Sequence, residues 1–279
     1  MVEVNDKVET AAEVEAPPKV AEISALDARG EPATYRALNE KVRRAVQDGY
    51  DLIRVYDVHG QRFLGAGLEG DVRLEIYGTA GNDLGVFMGG PTIEVFGSAE
   101  DQAGNTMNDG KIIIHGNAWD VTGFAARGGK IFVKGDGGYR IGIHMKEFRR
   151  HRPVVVYGGR VREFFGEYMA GGILIALGLD GRGNADLGGA GRAVVGPGVG
   201  TGIHGGTIYV RGEVPDYFLG VAAVKGEFDE RDRKTLTPIL AEFGGHFGIS
   251  LETIWEKPFT KIVPASSRPY GAYYCGKLI

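Results

Sequence analysis

Six histidines, one cysteine and one basic cluster hold most of the reactive chemistry in this chain. The histidines are His59, His115, His144, His151, His204 and His246. Metal sites want imidazoles and thiolates at short, regular offsets. No two of these histidines stand at i, i+2 or i, i+4. They are therefore read as surface or turn residues, although His144 and His204 occupy comparable places in a repeat and are placed along one edge of it. Cys275 is the single thiol. It has no partner for an internal disulfide and no histidine near it in sequence to act as a base. A G-x-S-x-G elbow is absent. No residue is assigned as catalytic, cofactor-binding or metal-ligating.

Two segments resemble ligand sites more closely. Gly200-Thr-Gly202-Ile-His-Gly205 matches G-x-G-x-x-G. A dinucleotide site needs that turn to open a helix. Here it leads into Gly206-Thr-Ile-Tyr-Val-Arg, a strand pattern, so it is read as one more repeat turn. The run KEFRRHRP at 146–153 brings together Lys146, Arg149, Arg150, His151 and Arg152. Guanidinium groups bind carboxylates and phosphates well, so this loop is a candidate docking site for an acidic partner. A solvated loop is the plainer reading. Arg182 and Arg192, in the Gly-rich excursion 179–198, are read as an extension of the same patch.

These residues are held by a repeat. Seven anchor glycines recur through the middle of the chain: Gly65, Gly85, Gly104, Gly123, Gly142, Gly166 and Gly200. Their spacings are 20, 19, 19, 19, 24 and 34 residues. Each anchor leads to a short β-branched run that closes on a second glycine. A period near 20 residues means a solenoid. The pairs Leu74/Ile76, Ile93/Val95, Ile112/Ile114 and Ile131/Val133 alternate in sequence, which puts both members on one face. Stacking buries that face, which a single unit cannot do alone. The basic loop and the 179–198 excursion are the two insertions that break the period, and insertions map to loops.

Four regions follow. Residues 1–32 are read as a flexible tail. Residues 33–58 form an N-terminal helix–strand cap. The helix runs over 34–48, with Thr34 as N-cap and Leu38, Val42, Ala45 and Val46 on one face. The repeats fill 59–212. Residues 213–279 form a C-terminal cap, with a short helix opened by Thr237-Pro238 and stopped by Gly244-Gly245, a second helix capped by Ser250, and an extended end from Phe259.

Composition narrows the function. The chain of 279 residues has 47 glycines and a net charge of −4. That balance argues against a general nucleic-acid binder. No apolar stretch of about 18 residues spans a membrane, and the acidic N-terminus does not read as a signal peptide. A cytoplasmic protein is expected.

The stretch GNDLGVFMGGPTIEVFG…NTMNDGKIIIHGNAWDVTGFAARGGKIFVKGDGGYRIGIHMKEF resembles the GXGXG domain at the C-terminus of the glutamate synthase large subunit. The run from Tyr168 to Gly178 resembles its late repeat, and Phe259 to Pro264 its terminal segment. The likeness covers roughly 35–270 and extends to the scaffold subunit of formylmethanofuran dehydrogenase. It implies a right-handed parallel β-helix, an all-β solenoid of about seven turns with helical caps at both ends. It implies a non-catalytic assembly subunit with no cofactor of its own. The partners would be a glutamine amidotransferase and a synthase carrying FMN and an Fe–S cluster, joined in a hetero-oligomer for ammonia transfer in glutamate biosynthesis. Two other roles are a formylmethanofuran dehydrogenase-like scaffold and a free-standing β-solenoid hydrolase or transferase.

Overall fold

The structure, a computed structural model, describes residues 17–179 and 193–266. Arg182, Arg192 and Cys275 lie outside the described residues. Among those described, one sheet runs through the molecule. Its strands are β1 (Val20–Ser24), β2 (Leu52–His59), β3 (Arg73–Thr79), β4 (Gly89–Phe96), β5 (Asp109–Ile114), β6 (Lys130–Val133), β7 (Val154–Tyr157), β8 (Ala170–Ala176) and β9 (Gly205–Arg211). Each pairs in parallel with the next in chain order. Two further strands, β10 (Ala223–Gly226) and β11 (Phe259–Pro264), close the sheet antiparallel in the order β9-β11-β10. The result is a parallel β-solenoid of about six turns, slightly fewer than the anchor count suggests.

Register explains the interior. Ile53, Leu74, Ile93, Ile112, Ile131, Val155, Leu174 and Ile208 pair in one continuous row. Val55, Ile76, Val95, Ile114 and Val133 form a second row two residues on, and every member of both rows is fully buried. Each such side chain contributes about 1.5–3 kcal/mol through burial. Met88, Met107, Met145 and Met169 stand at equivalent places after their anchors and are also fully buried. Unbranched thioethers fill irregular interior gaps well. The predicted aliphatic ladders are therefore present.

Helix α1 (Tyr35–Gln47) seals the first turn. Thr34 caps it, accepting from the Ala37 amide, and Leu38, Val42 and Ala45 enter the main core. The C-terminal helices differ from expectation. Thr237 and Pro238 do not open a helix; they lie inside α2 (Glu230–Phe247). Its true cap is Asp229, in a reciprocal capping box with Asp232. Gly244 does not stop α2 either. A Cβ there would collide with the Ile249 carbonyl, so the glycine allows the chain to fold back, and Gly248 ends the helix at φ 69°. The short α3 (Leu251–Trp255) is capped by Ser250 as expected.

α2 does not cap the far end. Leu236, Ile239, Leu240, Phe243 and Phe247 pack on Ile113, Phe132, Val154, Val156, Ile173 and Ile175. The helix thus lies along the outer face of β5 to β9, while β11 and β10 close the end. Within the stretch read as a tail, Val20–Ser24 is a strand paired with β2.

Candidate functional site

The repeat turn fixes where the described loops leave the solenoid. All seven anchor glycines have a φ between 65 and 75°. The residues two before and two after each anchor are left-handed as well, as in Arg140-Ile-Gly142-Ile-His144. Alternating handedness flips successive peptides. The Gly142 amide bonds back to Thr122, while Arg140 and His144 bond forward to Glu163 and Glu167. Only the central position points inward: a Cβ on Gly142 would reach 2.6 Å from Leu174 Cδ1. The positions flanking the five anchors from Gly85 to Gly166 carry ordinary side chains, at a strain of about 1–2 kcal/mol each, whereas Gly67, Gly198 and Gly202 take these places beside Gly65 and Gly200.

The same geometry disposes of the phosphate motif. The Gly200 amide bonds to Phe165, Gly202 to Val221, and His204 and Gly205 to Met169. Those amides are used in the rungs, so they are not available to cradle a phosphate in the manner of a dinucleotide loop.

The histidines do not converge. His59, His144 and His151 are exposed, and His115, His204 and His246 are half-buried. His144 follows its anchor by two residues and His204 by four, so they do not share a column. His144 instead stacks on Tyr168, with ring centroids 5.3 Å apart. His115 Nε2 lies 2.8 Å from Glu94 Oε1. His246 presses against Phe132, and its Nε2 is buried with no hydrogen-bond partner. Burial, aided by the charge of Lys111, lowers its pKa from 6.5. Among the described residues, no group of three His, Cys, Asp or Glu is placed to hold a metal.

The basic loop forms a tight hairpin. Phe148 and His151 exchange backbone hydrogen bonds of 3.0 and 3.1 Å, and Arg149 takes φ 57°. Lys146, Arg149, Arg150 and Arg152 are all exposed. The Arg149 guanidinium lies 5.1 Å from the ring centroid of Phe148. Arg152 pairs with Glu147 at 3.4 Å, and Glu147 also accepts the Gly172 amide at 3.0 Å. The loop borders a groove of about 460 Å³ that also contains Lys111 and Lys130. The sequence reading missed these two lysines. Gly110-Lys111 and Gly129-Lys130 are the same step of consecutive repeats, so their alignment was available in the spacing. Both pair with Glu242 of α2. Burial pushes the Glu242 carboxyl up, but the two lysines outweigh it and hold it below the usual 4.5.

Two other concavities flank the solenoid. One of about 650 Å³ lies between α1 and the first turns, with Tyr35, Phe63 and Phe87 in its wall. Another of about 520 Å³ exposes Trp119, Tyr139 and Arg162.

A family model for the GXGXG motif matches residues 52–265. The match runs from β2 through β11. The chain belongs to the GXGXG motif family. This supports the resemblance to the C-terminal domain of glutamate synthase at the level of the domain. An uncharacterized protein of Methanocaldococcus jannaschii is 49% identical over 251 residues, covering 88% of this chain and 94% of the relative. Family membership suggests association with glutamate synthase-like, multi-subunit enzymes. Among the described residues, no helix is long and apolar enough to cross a membrane.

Proposed function

We propose that this GXGXG protein is a non-catalytic assembly subunit of a glutamate synthase-like complex in the cytoplasm. It positions a glutamine amidotransferase and an FMN- and Fe–S-bearing synthase for ammonia transfer in glutamate biosynthesis. The observation that carries this reading is the extent of the family match, which takes in the solenoid from β2 to its closing strands. The physical design supports it: inward positions are filled by packing, and specific side chains are left to the surface.

The test is gentle affinity purification from native cells, with mass spectrometry of co-eluting chains and an absorbance spectrum. Co-elution of an amidotransferase and a flavoprotein is the expected result. Recovery with a metal-dependent hydrolase and a molybdenum or tungsten protein would move the chain to the formylmethanofuran dehydrogenase-like role. Elution alone, with turnover by the pure chain, would replace both with a free-standing enzyme.

A further inference from the structure

The 146–153 hairpin holds cations that the described residues do not neutralise. Among the described residues, Lys146, Arg149, Arg150 and His151 form no ion pair; Arg149 meets only the Phe148 ring. Two of the nearby acids are already engaged in ion pairs. Glu147 is taken by Arg152 and the Gly172 amide. Glu242 lies between Lys111 and Lys130. Asp109, in the groove wall, accepts the Gly110 amide at 2.8 Å.

Glu242 shows what this surface accepts. It is a carboxylate brought by a separate element and held between lysines of neighbouring strands. Arg150 and His151 continue the same groove beyond it, without a counterpart to Glu242. Phe148, 60% exposed, adds an apolar foothold beside the cations. The hairpin is closed by its own backbone bonds, so little backbone ordering cost remains on binding. Nucleic acid is a poor fit. It calls for an extended basic footprint, whereas the net charge here is −4.

We infer that the groove between the 146–153 hairpin and the Lys111–Lys130 edge seats an acidic segment of a partner protein, with Phe148 against an apolar residue of that segment. This deepens the assembly reading and takes the partner from it.

The experiment is zero-length carbodiimide coupling of the affinity-purified complex, which joins a lysine to a touching carboxylate. Lys146 is expected to couple to an Asp or Glu of another chain. The variant R149E/R150E is expected to retain that partner about tenfold less well, a change of about 1.4 kcal/mol, while R36E/R43E on α1 retains it fully. Coupling of Lys146 only within its own chain, or undiminished retention by R149E/R150E, overturns the inference and leaves the assembly reading standing. If no partner co-elutes, the assembly reading fails and the groove is tested alone by anisotropy with labelled hexaglutamate, pyrophosphate and a single-stranded oligonucleotide. Hexaglutamate binding that R149E/R150E abolishes supports the acidic-segment site. No binding, or preference for pyrophosphate or the oligonucleotide, overturns it.

Discussion

The outer face of the sheet has two halves of opposite character, built on the same interior. One outward row, followed through the register, reads Glu22, Arg54, Glu75, Glu94, Ile113, Phe132, Val156 and Ile175. The first four are charged and the next four apolar. The change falls between β4 and β5. In the charged half, Arg54 and Arg73 both bind Glu75, Arg73 also binds Glu94, and Glu94 meets His115. Beside them Tyr56, Tyr77, Phe96 and His115 stack rung on rung, the first pairs at 4.8 Å. In the apolar half α2 covers the row, and Phe247 meets His115 edge-on where the halves join. The inward rows make the solenoid; the outward row decides whether a helix covers it or solvent meets it.

Four experiments test that contrast. Phe243 is fully buried between α2 and Phe132. Phe243→Ala should cost about 3–5 kcal/mol in urea unfolding, and a loss below about 1 kcal/mol would show that the helix is not part of the fold's stability. In the open half, Glu94→Ala leaves His115 without its carboxylate and Arg73 with Glu75 alone, and should cost about 1.5–3 kcal/mol.

Acid should act on the covered half in two stages. His246 is held below 6.5, so the unfolded chain takes its proton first and stability begins to fall below that pH. Glu242 is held below 4.5, so its contribution is complete above 4.5 and drains as pH falls through the folded value. His246→Phe should flatten the first stage and Glu242→Gln the second, read as unfolding midpoints from pH 7 to 3; unchanged profiles would remove these groups from the contrast. The smallest effect belongs to the open stack. Phe96, 39% exposed, should cost about 1 kcal/mol on replacement by Ala, and a loss as large as that of Phe243 would erase the difference between the halves.

Much of this was legible in the sequence, for identifiable reasons. Strict spacing from Gly85 to Gly142 gave the rungs, and β-branched pairs such as Ile112/Ile114 gave the inward face. Thr34 and the Leu38/Val42/Ala45 stripe gave α1. The start of α2 was missed because Thr237-Pro238 imitates a cap and first turn, while the working cap uses acids at both positions, Asp229 and Asp232. Its placement was missed because the apolar outward residues that receive it are scattered through β5 to β8, one or two per repeat. β1 was hidden in a short run, VAEIS, among charged and proline-rich neighbours. The basic hairpin was located correctly as a loop, but its groove depends on Lys111 and Lys130, which only the stacking brings beside it.

The uncovered half has one more consequence, for length. No helix of the described residues is laid across the rungs there, and neighbouring strands lie about 4.8 Å apart. Excising 85–103 would splice one left-handed corner onto the next and shorten the molecule by that single step, with both ends unchanged. In the covered half the same cut would slide α2 past the pockets that hold Phe243 and the lysines that hold Glu242. The length of the solenoid can thus be reset by one rung on the N-terminal side, while α2 locks the C-terminal side.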